Sequence, residues 1–181
     1  MNRMNWFNEP ASCFRDGEQL TIRTAPGTDF WRKTHYGFIR DNGHFLPHQV
    51  EGNFVAETAF DGAYRDLYDQ AGLMVRENEQ IWMKAGIEFV GGVWNASVVV
   101  TRDYSDWSVV ALEQSSEHFS LRIERDGGTF SVFYSESGQN FRLLRIAFLT
   151  ETKNLRVGPM AASPEGSGFE VTFRRFILTP H

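Results

Sequence analysis

Residues 70–89 read QAGLMVRENEQIWMKAGIEF, two runs of alternating apolar and polar residues on either side of a polar turn. Successive side chains of a β-strand point to opposite faces of its sheet, so this alternation indicates strands that bury one face. Residues 77–79, between the runs, form a natural hairpin loop. The stretch therefore predicts an antiparallel hairpin in which residues 70–76 pair with residues 80–89.

Similar short runs, rich in Val, Ile, Phe and Tyr, recur along the rest of the chain between clusters of Gly, Asn, Asp and Ser. This pattern is typical of antiparallel strands, and helical periodicity is nearly absent. Residues 126–128, Asp-Gly-Gly, are a strong hairpin signal because glycine supplies the positive φ of a tight turn. About ten or eleven strands without helices predict two packed sheets. The further predicted strands are 19–23, 54–60, 96–101, 107–112, 120–125, 129–135, 141–148, 155–161 and 168–178.

The composition fits one globular all-β domain. The chain has 181 residues, of which 41% are hydrophobic and 23% are charged, and its 16 Phe and 5 Trp supply large side chains for a core. No linker, repeat or low-complexity tract divides it, so we expect one domain over residues 1–181. The net charge of -5 comes without a basic stripe, which argues against a nucleic-acid partner.

The cysteine count and the N-terminal sequence bear on the compartment. Cys13 is the single cysteine, so an intrachain disulfide and a cysteine-rich zinc site are both excluded. The first residues lack the apolar segment of a signal peptide, and no window has the length of a membrane span. We therefore expect a cytoplasmic protein that does not associate with a membrane.

The predicted hairpin has a face that could bind a ligand. Its apolar side chains, which should enter the core, are Ala71, Leu73, Val75, Ile81, Met83, Ala85, Ile87 and Phe89. The opposite face carries polar and aromatic side chains, which from the far end to the turn are Gln70 and Glu88, then Lys84, then Arg76 and Trp82. An indole among amide, ammonium, guanidinium and carboxylate groups suits the stacking of a sugar ring and hydrogen bonding to its hydroxyls.

Two glycines on the same face, Gly72 and Gly86, support this interpretation. Glycine within a strand often marks the close approach of a ligand or of another backbone, and here we expect clearance for a ligand. The alternative is an ordinary solvated sheet, on which Lys84 and Glu88 form an ion pair and Trp82 covers their aliphatic stems. A solvated face rarely needs a tryptophan and two glycines on adjacent strands, which favours binding.

Two loops could complete the site. Residues 26–47 mix aromatic rings with charges, and long loops that keep such rings often bind ligands, with Trp31 as the candidate stacking ring. Alternatively, these rings plug one end of the sandwich. Residues 101–108 could form a rim of the groove that includes Trp107, or a turn whose aspartates cap backbone amides while Trp107 enters the core.

The sequence contains few signals of catalysis. A nucleophile elbow, a phosphate-binding loop and the HExxH zinc motif are all missing, and His35, His44 and His48 match no metal-ligand spacing. We therefore predict neither a metal nor another cofactor. Glycoside hydrolysis requires two carboxylates about 5 to 9 Å apart. Glu88 is the candidate catalytic residue, and Asp69 across the sheet is a conceivable second carboxylate.

Three stretches resemble the family DUF1349: residues 66–75, DLYDQAGLMV, residues 82–89, WMKAGIEF, and residues 105–108, SDWS. The resemblance covers most of the chain, including residues 29–31. It implies a two-sheet antiparallel jelly-roll sandwich similar to the concanavalin A-like lectins and glucanases, with a concave sheet that binds sugars in many members. The Glu-x-Asp-x-x-Glu strand of the glucanases is not found, so the resemblance does not imply their retaining mechanism.

The leading hypothesis is that the concave face binds a carbohydrate or another polyhydroxylated small molecule. One alternative is a carbohydrate-active hydrolase or lyase that uses Glu88 with Lys84 or Asp69. Another is a protein-interaction module with an aromatic patch on residues 26–47. The predicted ligand contacts are Trp31, Asp69, Gln70, Arg76, Trp82, Lys84, Glu88 and Trp107.

Overall fold

A computed structural model describes residues 4–113 and 119–181, which form two antiparallel sheets of seven strands each and one separate two-stranded hairpin. The strands, in chain order, are β1 (Ser12–Asp16), β2 (Gln19–Arg23), β3 (Phe30–Arg32), β4 (Ile39–Asp41), β5 (His44–Phe45), β6 (His48–Glu51), β7 (Phe54–Gly62), β8 (Gln70–Arg76), β9 (Ile81–Val90), β10 (Val93–Arg102), β11 (Tyr104–Ala111), β12 (Phe119–Asp126), β13 (Thr129–Ser135), β14 (Arg142–Phe148), β15 (Asn154–Ala162) and β16 (Glu170–Pro180). Within the described residues there is no helix long and apolar enough to cross a membrane.

The two sheets stack as a sandwich. The back sheet has the order β1-β2-β16-β7-β12-β13-β14. The front sheet has the order β11-β10-β9-β8-β15, and β15 also pairs with the short strands β5 and β6. The predicted all-β jelly-roll sandwich is confirmed.

The predicted hairpin of residues 70–89 is confirmed as β8 and β9, in a register that runs from Gln70 opposite Glu88 to Arg76 opposite Trp82. The Asp-Gly-Gly signal is confirmed as the turn between β12 and β13, where Gly127 has a φ of 58°. The strands that the sequence did not predict are β1 and β3 to β6, which contain between 2 and 5 residues. Runs this short do not establish a periodicity.

The main core lies between the two sheets and is rich in aromatic rings. Phe54, Phe60, Phe119 and Phe130, all from the back sheet, are fully buried. The front sheet contributes the smaller apolar set of β8 and β9 that the alternation predicted, together with side chains such as Val98 of β10. Burying each large apolar side chain stabilises the fold by about 1.5 to 3 kcal/mol.

A second apolar cluster lies on the outer face of the front sheet, the face turned away from the main core. It consists of Phe30, Trp31, Phe45, Met74, Trp82, Val99 and Met160, with Phe7 packed against it. The hairpin of β3 and β4 supplies two of these rings and covers part of the outer face. As a result all seven residues of β8 are buried, including the polar side chains at its two ends. The solvated-sheet alternative is therefore wrong for this part of the sheet.

Gly72 and Gly86 face each other across the pairing of β8 with β9. A Cβ atom on Gly72 would lie 2.0 Å from the carbonyl oxygen of Ala85, and one on Gly86 would lie 2.0 Å from that of Ala71. The neighbouring backbone occupies the space beside these glycines. The prediction that they leave clearance for a ligand is therefore wrong.

We predict that Gly86→Ala destabilises the protein by about 3 kcal/mol or more, because the added methyl group meets backbone atoms that cannot rotate away. Urea unfolding measures this loss. Gly91→Ala is the control: Gly91 has a φ of 62° and no atom within 4 Å of an added Cβ, so only the backbone strain of about 1 to 2 kcal/mol applies. Equal losses in both variants would contradict the close packing.

His44, at the start of β5, joins two distant segments of the chain. Its Nε2 accepts the backbone N–H of Ala25 at 2.9 Å, and its Nδ1 lies 3.0 Å from the carbonyl oxygen of Asn8. Because a carbonyl only accepts, Nδ1 carries the proton and the ring is neutral. Burial lowers the pKa of His44, and the hydrogen bond to Asn8 opposes that shift.

The free energy of unfolding should fall as the pH drops below about 6.5, the ordinary histidine pKa. The unfolded chain then gains a proton that folded His44 does not take up until the pH reaches its lowered pKa, below which the loss stops growing. His44→Gln keeps one donor and one acceptor but cannot titrate, so its urea midpoint should depend less on pH. The lowered pKa of His48 acts equally in both proteins. Identical pH profiles would contradict this role of His44.

Candidate functional site

Arg76 holds the β3–β4 hairpin on the outer face. Its guanidinium donates two hydrogen bonds of 2.7 Å to the carboxylate of Asp41 on β4, and it lies 4.5 Å from the ring centre of Phe7. Arg76 is 2% exposed, so protein surrounds its guanidinium. These contacts make Arg76 a support of the hairpin, and its role as a ligand contact stays a prediction.

Trp82 is also covered by the hairpin. Its ring lies 6.2 Å from that of Phe30, its Nε1 donates to the carbonyl oxygen of Glu79, and it is 1% exposed. The ring is packed against protein, and its role in stacking a sugar stays a prediction. The indole forms the centre of the second apolar cluster.

Asp69 serves the backbone that precedes β8. Its Oδ2 accepts the backbone N–H groups of Arg65 and Asp66 at 3.1 and 2.9 Å, and its Oδ1 accepts the Ser163 hydroxyl at 2.6 Å. Both carboxylate oxygens are used and the residue is fully buried. The structure thus shows Asp69 capping a turn, and its role as a ligand contact or second catalytic carboxylate stays a prediction.

A pocket remains beside the hairpin, at the end of the outer face away from the β8–β9 turn. Its cavity volume is about 110 Å³. The predicted residues that line it are Trp31, Gln70, Lys84, Glu88 and Trp107. The lining residues that the sequence did not predict are Asp29, Tyr36, Phe38, Arg40, Tyr68, Pro164 and Glu165.

The floor of the pocket contains a buried ion pair. The Lys84 ammonium donates to the carbonyl oxygen of Phe30 at 2.7 Å and to Oδ1 of Asp29 at 3.2 Å. The Gln70 amide donates to the same Asp29 oxygen at 3.4 Å and to the carbonyl oxygen of Tyr68 at 3.1 Å. Asp29 also accepts the N–H of Phe30 at 2.7 Å, so this one carboxylate connects the hairpin to the sheet.

Glu88 lies beside this ion pair with one oxygen engaged. Its Oε2 accepts the Ser97 hydroxyl at 2.6 Å and the Trp107 indole N–H at 2.8 Å. Among the described residues, both hydrogen bonds of this carboxylate end on Oε2, which leaves Oε1 for an occupant of the pocket. Burial raises the pKa of Glu88, while the charge of Lys84 and the two hydrogen bonds act to lower it.

Four of the five aromatic rings that line the pocket form two pairs. Trp31 and Tyr36 lie 5.7 Å apart at 70°, and Tyr68 and Trp107 lie 6.2 Å apart at 81°. The hydroxyls of Tyr36 and Tyr68 are 3.1 Å apart and join the two pairs across the mouth. That hydrogen bond is the largest cause of a Tyr68 pKa of about 12. Tyr68 therefore presents a neutral aromatic wall at physiological pH.

Residues 26–47 and residues 101–108 both contribute a tryptophan to the pocket. Trp31 faces the pocket and is 8% exposed, while Trp107 is 38% exposed at the rim, so the alternative in which Trp107 enters the core is wrong. Asp103 binds the side chains of Arg32 and Lys33. Residues 101–108 thus both border the pocket and anchor the hairpin.

Sequence reasoning could have found some of the missed residues. Asp29 and Tyr68 lie in stretches that carried the family resemblance, but neither belongs to an alternating run. Tyr36 is a single ring in a loop, and its approach to Tyr68 depends on the hairpin crossing the sheet. In the described part of the chain, no group of three or more His, Cys, Asp or Glu side chains is placed to hold a metal ion.

Comparison with known proteins identifies relatives. The model of the family described as "Protein of unknown function (DUF1349)" matches residues 6–181. A Saccharomyces cerevisiae protein named "Regulation of enolase protein 1" is 39% identical over 179 residues, which are 99% of this chain and 90% of the yeast protein.

Solved structures share the architecture. The crystal structure of a functionally unknown protein from Saccharomyces cerevisiae superposes with a TM-score of 0.94 at 40% identity, covering 98% of this chain and 96% of the other. A xylan β-1,4-xylosidase from Bacillus halodurans C-125 superposes with a TM-score of 0.74 at 13% identity, covering 99% of this chain but 37% of the xylosidase. At this identity the second likeness concerns the fold alone.

Asp41→Asn should destabilise the protein by about 3 kcal/mol, because it leaves the buried Arg76 guanidinium without its counterion. Urea unfolding measures the loss. The control is Glu124→Gln, which removes one of the two carboxylate partners of the partly exposed Arg122 and should cost less than about 1 kcal/mol. A loss at Asp41 as small as that at Glu124 would show that this ion pair does not hold the hairpin in place.

Proposed function

We propose that this chain, which belongs to the DUF1349 family, binds a carbohydrate or another small polyhydroxylated molecule in the pocket beside the β3–β4 hairpin. The observation that carries the proposal is the combination of aromatic walls with a buried polar floor in one cavity. Ligand sites are typically concave and mostly apolar, with a few polar groups that fix the orientation of the ligand.

The chemistry of the lining matches that of a sugar. Sugars have apolar C–H faces, for which Trp31 and Trp107 offer rings, and hydroxyls that both donate and accept hydrogen bonds. Glu88 offers an acceptor oxygen, and the Gln70 amide offers its carbonyl oxygen as a second acceptor, since its N–H groups are bound to Asp29 and Tyr68. Because these polar groups are already fixed by Ser97 and Asp29, little conformational entropy is lost on binding.

The volume restricts the occupant. A cavity of about 110 Å³ is smaller than the roughly 300 to 1,000 Å³ of pockets that enclose drug-sized ligands. One sugar ring, or the end of a longer chain that extends past the exposed Tyr36 and Phe38, is the appropriate size. The xylosidase neighbour acts on a carbohydrate by its name, but the shared fold does not transfer that activity.

A second candidate function is carbohydrate hydrolysis or elimination. The raised pKa of Glu88 favours it, because a general acid must hold its proton near the working pH. The geometry supports it less than binding: Asp69 lies outside the pocket lining, and Asp29 is paired with Lys84. Binding is therefore the leading function, and turnover is tested in the same experiment.

We expect isothermal titration calorimetry with a panel of mono- and disaccharides to show binding of at least one sugar by the wild type. Trp107→Ala should weaken that binding by about tenfold, because it removes a wall and a donor to Glu88. Phe14→Ala is the control, since Phe14 is 68% exposed on the back sheet.

Three other results have distinct meanings. A product that forms from the bound sugar, and that Glu88→Gln abolishes, would replace binding by catalysis as the function. Equal affinity of Trp107→Ala and the wild type would place the sugar elsewhere. No binding of any sugar would refute the proposal and favour a protein partner at the exposed rings of residues 26–47.

A further inference from the structure

We propose that the occupant of this pocket carries a positively charged amino group, which binds against Glu88 between the four aromatic rings. This inference rests on the proposed function and narrows it to a class: an amino sugar supplies both the hydroxyls and the charge. It follows from how the charges of the floor are paired and from the kind of wall that surrounds them.

Among the residues that the structure describes, the floor carboxylate of Glu88 has no ionic partner in hydrogen-bond contact. Lys84 and Asp29 form an ion pair with an N–O distance of 3.2 Å, and Lys84 donates a second hydrogen bond to a carbonyl oxygen. The two donors to Glu88, from Ser97 and Trp107, are both neutral. At the rim, Arg40 and Glu165 carry opposite charges. The pocket as a whole therefore favours a cation over an anion.

Glu88 is placed to receive that cation. The residue is 6% exposed, so its charge is poorly screened by water, and a buried charge is strongly stabilised by a direct counterion. Both hydrogen bonds from the protein reach Oε2, so an ammonium at Oε1 would not displace either donor. An ammonium donates hydrogen bonds and has no acceptor, which matches a carboxylate oxygen.

The walls favour the same charge. The faces of Trp and Tyr rings carry negative electrostatic potential, and groups of such rings recognise ammonium ligands. Trp31 with Tyr36, and Tyr68 with Trp107, form two nearly perpendicular pairs around one cavity. Rings in different planes surround a compact cation better than one flat stacking platform would.

An anionic ligand fits these observations less well. The Lys84 ammonium is bound to Asp29 and to the Phe30 carbonyl, and it is 4% exposed. The Arg40 guanidinium lies 5.0 Å from the ring centre of Phe38, at the mouth of the pocket. A sugar acid that reached the floor would meet the carboxylate of Glu88 and be repelled.

The test compares matched ligands by isothermal titration calorimetry at a pH that keeps the amines protonated. The ligand pairs are glucosamine with glucose, galactosamine with galactose and mannosamine with mannose. We expect at least one amino sugar to bind about tenfold or more tightly than its neutral partner. N-acetylation, which removes the charge, should abolish that gain, and glucuronate should bind no better than glucose.

Glu88→Gln separates charge from shape. The amide keeps a carbonyl oxygen that can accept from Ser97 and Trp107, while its NH₂ group replaces the oxygen that faces the pocket. The preference for the amino sugar should fall below about twofold in this variant, with the neutral sugar still bound. Glu170→Gln removes the same charge from an exposed residue of β16 in the back sheet and should leave the preference intact.

The outcomes distinguish this inference from the proposed function. Equal affinities for charged and neutral sugars, tighter binding of glucuronate, or a preference that survives Glu88→Gln would overturn the inference and leave sugar binding standing. Absence of binding by every sugar would overturn both. Choline, an ammonium compound that is not a sugar, is titrated as a further probe. If choline binds to the wild type but not to Glu88→Gln, and no sugar binds, the pocket is a cation site and its ligand is not a carbohydrate.

Discussion

Two buried cations on one face of the front sheet require carboxylates, and this requirement shapes the rest of the structure. Lys84 and Arg76 lie on adjacent strands and are both almost fully buried. A buried charge is costly unless it is paired and hydrogen-bonded. Asp29, just before β3, and Asp41, the last residue of β4, supply the pairing. The hairpin is therefore held on the sheet by electrostatics as well as by the apolar contacts of Phe30.

The position of the hairpin divides the outer face into two parts. Near the β8–β9 turn it covers Trp82 and Arg76, which become structural. At the other end, Glu88 and Gln70 stay at the floor of a pocket whose walls come from the hairpin, from the segment before β8 and from β11. The pocket is thus a property of the assembly, because no single strand or loop supplies both its floor and its walls.

The comparison with the xylosidase shows that proteins with very different sequences share this fold. The same sandwich occurs at 13% identity as part of a longer enzyme, while the yeast crystal structure shares both the fold and about two-fifths of the residues. A fold can host many functions, which depend on the side chains of particular sites. The site proposed for this chain consists of the paired Lys84 and Asp29, the carboxylate of Glu88 and the surrounding rings.

The sequence by itself determined the sandwich, the register of β8 with β9 and the face on which Gln70, Lys84 and Glu88 lie. These follow from alternation, which is local to each strand. Only the tertiary structure decided which members of that face are open to a ligand. The contacts that cover Arg76 and Lys84 join residues 35 and 55 positions apart, and no periodicity within a strand encodes them. Burial of the polar face under the hairpin thus had to be seen in three dimensions.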